Sequence, residues 1–221
     1  MSIVKRLPLA LVLLPLVATG CAHESDITAI GGSIGQEVKR TSCPAVAVPA
    51  YTGDVTLFNP PASREARAID VVATITDLKG QCDDSDTSSA TLHTNATFRV
   101  LARRSDPHGA RDVVLPYYAA VMHGGTTVAS KSISRISVHF DDGKLLASAN
   151  GQASASVSRA DATLPDNIRN RLIRKRNAED ADASVDPMTD PAVRSALAKA
   201  SFELLVGFQL TQEELTYNAT R

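Results

Sequence analysis

The sequence predicts a mainly β chain: an antiparallel β-sandwich, immunoglobulin-like or similar, with a short helical insertion before the last strand. Three observations predict it. Short runs of alternating apolar and polar residues recur from residue 45 to residue 158 and again near the C-terminus. Turn signals such as His123-Gly124-Gly125 and Asp142-Gly143 separate them. About 180 residues follow Cys43, a length that one sandwich can use. The chain has no Trp, so the Cys…Trp…Cys signature of a true immunoglobulin domain is absent.

Composition narrows the function classes. Of 221 residues, 43% are hydrophobic and 21% charged, a globular balance that excludes wholesale disorder. Four Tyr and five Phe make no stacking platform for bases or sugars. A net charge of −1 supplies no field for a polyanion, so nucleic acid is not an expected partner.

Residues 1–20 read as a lipoprotein signal peptide. Lys5 and Arg6 precede an apolar run from Leu7 to Gly20 that carries Pro8 and Pro15. That run is shorter than the roughly 20 apolar residues a spanning helix needs. Val17-Ala18-Thr19-Gly20-Cys21 resembles a bacterial lipobox, although Ala18 stands where Leu is commonest. Cleavage before Cys21 would leave its thiol to carry diacylglycerol, and two or three acyl chains hold a protein on a bilayer. The expected partner is therefore the membrane, through this N-terminal palmitate-type anchor. Ala22 rather than Asp follows the cysteine, so the expected address is the outer membrane, facing the periplasm. The alternative is an ordinary secretory signal with an incidental cysteine.

Cleavage leaves 21 basic against 24 acidic residues and all three cysteines. With Cys21 lipidated, Cys43 and Cys82 remain, and an even pair in an oxidising compartment favours a structural disulfide. A pair of metal ligands or a redox couple is the rival reading. Neither a CxxC spacing nor a Cys–His cluster supports it.

Residues 21–42, rich in Gly, Ser and Thr, read as a flexible tether with a reach of roughly 25 Å. Residues 43–221 then read as a single sandwich domain. Ala45 to Val48 and Val55 to Phe58 form the first strands, and Asn59-Pro60-Pro61 ends the second. Ile69, Val71, Ala73 and Ile75 alternate with polar residues, and Gly80 is expected to close that strand. Leu92, Ala96, Phe98 and Val100 share one strand face. In Val113 to Met122, Pro116 lacks a ladder donor, which predicts an edge position or a bulge. In Thr126 to Phe140, Val128 shares parity with Ile136, Val138 and Phe140 but Ile133 does not, which predicts a bulge near Ile133. Leu145 to Ser158 alternates without a fault, with Ala147, Ala149, Gly151 and Ala153 on its inner face.

The helical insertion spans about 164–200. Leu164, Ile168 and Leu172 recur every four residues, and Pro165 suits a first turn. The acid-rich stretch Glu179 to Asp186 reads as a loop, and Asp190 as the cap of a short helix opening at Pro191. Phe202, Leu204, Val206, Phe208 and Leu210 form the inner face of the last strand.

Three segments carry a family resemblance: Cys43-Pro44-Ala45-Val46, Gly80-Gln81-Cys82, and Gly207-Phe208-Gln209-Leu210-Thr211 ahead of Glu214-Leu215 and Tyr217-Asn218. Over about residues 43–218 the chain resembles a class of uncharacterised alphaproteobacterial lipoproteins. The resemblance implies a sandwich domain on a lipid anchor, and no activity. The basic helix at 165–177 looks like an insertion relative to that pattern.

Candidate sites are few. Arg169, Arg171, Arg174, Lys175 and Arg176 lie beside a Leu/Ile stripe and could contact an anionic surface, or be neutralised by the acids that follow. His23, His93, His108, His123 and His139 lack metal spacing and read as surface residues, with a joint site of His93 and His139 the one alternative. Asp83, Asp84 and Asp86 read as a solvated acidic loop, with weak calcium binding as the rival. No GxSxG or SxxK motif is present. The two sequons at Asn95 and Asn218 are incidental in a bacterial chain. No cofactor, metal or catalytic residue is expected. The expected function is a non-enzymatic lipoprotein that presents a surface to an envelope protein, with a carrier of a small apolar ligand second and a hydrolase third.

Overall fold

The computed structural model describes residues 40–174 and 179–221. Its strands are β1 (Ala45–Ala47), β2 (Asp54–Phe58), β3 (Ile69–Cys82), β4 (Thr91–Arg104), β5 (Arg111–His123), β6 (Thr127–Phe140), β7 (Leu146–Ser158) and β8 (Phe202–Phe208). Helices α1 (Arg159–Ala162), α2 (Asp166–Ile173) and α3 (Pro191–Lys199) precede β8, and α4 (Gln212–Thr220) follows it. The strands make two four-stranded sheets, ordered β1-β8-β5-β6 and β2-β3-β4-β7. The predicted β-sandwich with a helical insertion before the last strand is the observed fold. One pairing departs from the antiparallel rule: the short β1 runs parallel to β8.

Alternation builds the interior. Along β4 the side chains of Leu92, Thr94, Ala96, Phe98, Val100 and Ala102 are buried while their neighbours are exposed. They face Leu115, Tyr117, Val121, Ile136, Val138, Leu204 and Val206 of the opposite sheet. Burial of each larger side chain contributes roughly 1.5–3 kcal/mol. Phe98 meets Tyr117 edge-on at 5.2 Å, and its ring fills the space a Cβ on Gly151 would need. This explains the small residues on the inner face of β7.

Several expectations need correction. Gly80 does not end β3, which runs on to Cys82. Gly80 instead lets the sheets approach, since a Cβ there would strike Val46. In β6 the extra residue is Ala129, opposite the Val121–Met122 step, and not a residue near Ile133. Ile133 keeps its outward parity and is 61% exposed. Asp142-Gly143 is not a hairpin turn within one sheet, because β6 and β7 belong to different sheets. The turn there is an arch across the sandwich.

Pro116 lies in β5, an interior strand flanked by β6 and β8 and regular at Pro116, so neither the expected edge strand nor a bulge is found there. Its carbonyl accepts the Gln209 amide on the β8 side, one residue past the end of β8. The N and C=O of a strand residue point the same way. The missing donor therefore falls where β8 has already stopped, so Pro116 is locally at an edge.

Helix α4 was not expected. Thr211 and Glu214 form a reciprocal capping box that starts it. It packs on β2 through Phe58 and Tyr217, edge-on at 5.2 Å. The Asn218 side chain is buried and donates to the Tyr51 and Asp54 carbonyls, both at 2.8 Å. Asn218 is therefore structural rather than a surface sequon. The insertion has its own small core of Leu164, Ile168, Val193 and Ala200. Asp190 caps α3 by accepting the Ala192 amide at 2.7 Å, as expected.

Candidate functional site

Cys21 and the signal segment lie outside the described residues, as do Lys175 and Arg176. The described chain enters at a tied corner. Cys43 is disulfide-bonded to Cys82, with Cα atoms 6.0 Å apart. Just before it, Arg40 donates to the carbonyls of Ala200 at 2.8 Å and Ala162 at 3.5 Å. Burial at this contact lowers the Arg40 pKa. Thr41 and Ser42 both donate to the Asp84 carboxylate, at 2.7 and 3.2 Å. Residues 40–42, expected to belong to the tether, are thus docked on the domain.

The acidic loop is organised by these bonds. The Thr41 hydroxyl, then the Ser42 amide, hold Asp84 below the usual carboxylate range. Ser85 does the same for Asp83, and Ser88 for Asp86. Arg159 donates to the carbonyls of Ser89, Asp86 and Asp84 at 2.6, 2.7 and 3.3 Å. Each carboxylate caps its own stretch of backbone and a guanidinium sits on the loop carbonyls. Among the described residues, no group of three His, Cys, Asp or Glu converges as a cation site.

Three members of the basic segment are described, and each forms an ion pair. Arg169 meets Asp166 at 2.9 Å, Arg171 meets Asp190 at 2.7 Å, and Arg174 meets Asp182 at 2.5 Å. The Ala192 amide and then the Arg171 side chain lower the Asp190 pKa. Such exposed pairs contribute little to stability, but they neutralise the cations locally.

The histidines are placed apart. His93 and His139 stand on the outward faces of different sheets, on β4 and β6, so they form no joint site. His93 Nδ1 lies 2.9 Å from the Ser156 hydroxyl across the β4–β7 pair. His139 Nδ1 lies 2.9 Å from Asp112 and its Nε2 3.5 Å from Asp141. His108 pairs with Asp106 at 2.7 Å. His123 stacks on Phe202 and donates to the Lys199 carbonyl at 2.5 Å.

One polar feature had no signal in the sequence. Arg104, the last inward residue of β4, is only 1% exposed. It donates to four carbonyls: Lys144 and Gly109 at 2.7 Å, Pro107 at 2.5 Å and Asp141 at 2.9 Å. Its guanidinium also lies 5.2 Å from the Phe140 ring centroid. It ties the β4–β5 loop to the β6–β7 arch.

The side of the sandwich bounded by β6 and β7 is open. Two adjoining clefts of about 600 and 370 Å³ lie there and share Thr97, Tyr117 and Gln152. The Tyr117 hydroxyl donates to the Gln152 carbonyl at 2.7 Å. The lining is mixed: Ala96, Ala119 and Ala153 near Ser132 and Ser134 in one, Arg99 and Arg135 in the other.

Strand β6 is exposed on both faces from Thr127 to Arg135. From Ser130 to Arg135 its inward positions are Ser130, Ser132 and Ser134, and its outward positions are Lys131, Ile133 and Arg135. Serines at successive inward positions of a strand are the sequence signal for one that overhangs open space, and the sequence reading missed it. Of the other edges, β1 is three residues long and β2 carries α4, while β7 is a second long edge strand, with Ser, Asn and Gln at its exposed positions from Ser148 to Ser158.

A scan against protein-family models found no match. Searches of characterised proteins and of solved structures likewise found no significant similarity.

Proposed function

We propose that this chain is a non-enzymatic envelope lipoprotein, anchored through Cys21 at the outer membrane and facing the periplasm, that acts as a protein-interaction module. The observation that carries the interaction reading is a filled interior beside a long uncovered edge strand. A carrier of an apolar ligand would need an enclosed apolar cavity, whereas the clefts here are open and partly lined by charged residues. The Cys43–Cys82 bond supports the address, because disulfides persist in oxidising compartments.

The test is cross-linking in intact cells, with recovery through a C-terminal tag and identification by mass spectrometry. A Cys21→Ala version runs alongside. The expected result is a reproducible envelope partner that is lost when the anchor is lost. Recovery of co-purifying lipid without a protein partner would overturn the reading in favour of a carrier.

A further inference from the structure

We infer that β6 is a docking edge for an extended acidic polypeptide segment, which adds to the sheet as a further strand. The inference rests on the interaction-module reading and names the surface and the chemistry of the partner.

The open backbone groups follow from register. Pro116 pairs with Arg135, and the Pro116 carbonyl points away from β6, to Gln209. The Pro116–Arg135 pair is therefore one without hydrogen bonds between the two strands, and the Arg135 N–H and C=O point outward. The same alternation turns the main chains of Ile133 and Lys131 outward. Two further bonds agree with this phase. The Ala119 carbonyl accepts the Ser132 hydroxyl on the β6 side. The Phe208 amide, opposite Tyr117, donates away from β5, to Thr52. No strand of the described residues pairs with β6 on that side.

The side chains of the same three residues select the occupant. Lys131, Ile133 and Arg135 lie on the outward face, and Lys131 lies over the Tyr118 ring at 4.7 Å. No carboxylate among the described residues pairs with Lys131 or Arg135. A second copy is a poor occupant, because antiparallel β6–β6 pairing centred on Ile133 sets Lys131 against Arg135 twice. Like charges directly opposite destabilise a strand pair, and opposite charges stabilise it. The fitting partner carries acid, apolar and acid side chains at alternate positions. Main-chain bonds would supply affinity and the alternate side chains specificity.

The probe is a fluorescently labelled, end-blocked peptide of about ten residues, with Glu-Val-Glu on one strand face and Thr on the other. The full chain in detergent is titrated with it by anisotropy, and amide hydrogen exchange is read at residue level. The expected result is binding, with slowed exchange at Lys131, Ile133 and Arg135. A Lys131→Glu/Arg135→Glu variant should weaken binding on the order of tenfold. Ile133→Pro removes one outward N–H and leaves the β5 ladder intact, so it should weaken binding to a similar extent with an unchanged melting temperature. Equal binding of a peptide with Lys in place of Glu would overturn the inference, as would protection centred on β7. Slow exchange of the Lys131, Ile133 and Arg135 amides in the protein alone would also overturn it, since another segment of the chain would then occupy the edge. Envelope cross-links that map elsewhere, with β6 unprotected, would leave the module reading standing and remove this one.

Discussion

Replacing Arg104 with Met should destabilise the domain measurably. Met keeps an unbranched stem of similar length and removes the fork. The Gly109 and Lys144 carbonyls then lose their donor, while the Pro107 and Asp141 carbonyls lose a second donor and keep the Gly143 and Lys144 amides. A buried acceptor left without a partner costs about 1–3 kcal/mol. Gly109, Asp141 and Lys144 belong to exposed residues, so water recovers part of that cost. For the two acceptors left without a donor, with about half of it recovered, the net loss is roughly 2 kcal/mol. That is about an eighth to two-fifths of the ~5–15 kcal/mol that holds a typical domain folded. For a chain of this size the urea m-value is about 2 kcal/mol/M, so the midpoint should fall by about 1 M with m unchanged. Arg104→Lys keeps the charge, but a single ammonium cannot reach four separated oxygens, and about half the loss should remain. The acceptors do not titrate, so the penalty should be the same at about pH 5 and about pH 8. A midpoint shift below about 0.5 M for the Met variant would refute the reasoning. It would mean that the two loops hold each other without the arginine.

Three further expectations concern other parts of the domain. Changing both Cys43 and Cys82 to Ser opens a loop with a separation of 39 residues. This should cost about 4 kcal/mol in the chain-entropy model, and reducing the wild type should move its urea midpoint by the same amount. Asn218→Leu leaves the Tyr51 and Asp54 carbonyls without their donor. A loss of about 2–3 kcal/mol in chemical denaturation is expected, and an unchanged midpoint would show that α4 is dispensable. Asp83, Asp84 and Asp86 sit below the usual carboxylate range because hydroxyls and amides donate to them. The folded state then binds fewer protons than the unfolded state, so their contribution is fully present above the unfolded value of about 3.9 and disappears as pH falls through the lower folded values. NMR titration of the Ser42, Ser85 and Ser88 amides should give midpoints below about 3.9, and midpoints above it would contradict the bonding described.

Period-two alternation made most of the strands legible. Leu92 to Val100 needs no tertiary information, because every second side chain must enter the core. The elements that escaped depend on what lies across the fold. Whether Gly80 stops a strand or allows close approach depends on Val46, on the facing sheet. The bulge at Ala129 was misplaced because Ile133 was assumed to need burial, and on an overhanging strand it does not. Arg104 stands beside Arg103 with nothing local to distinguish them, since its acceptors come from two loops brought together only by the sandwich. Helix α4 did leave a signal: Thr211 and Glu214 have the spacing of a capping box, which competed with an apolar run ending at Leu210. For the candidate site, the cysteine pair was readable from the even count left after Cys21 and the compartment expected from the signal segment. The β6 edge was not, because exposure of a backbone edge is a property of sheet order.

The corner where the chain enters also has a mechanical consequence. Tension on the polypeptide ahead of Arg40 first meets the Arg40 and Thr41 contacts and then reaches Cys43. There the load divides. One branch continues into β1, a three-residue strand that a steady pull would peel from β8. The other passes through a covalent bond into Cys82, at the end of a fourteen-residue strand in the interior of the opposite sheet. The covalent branch is the stiffer path, so the weak strand is shielded and the force spreads into the β3–β4 ladder as shear. A domain hauled by its leading end would keep its sheet order, and with it the geometry of the far edge, until the disulfide was reduced.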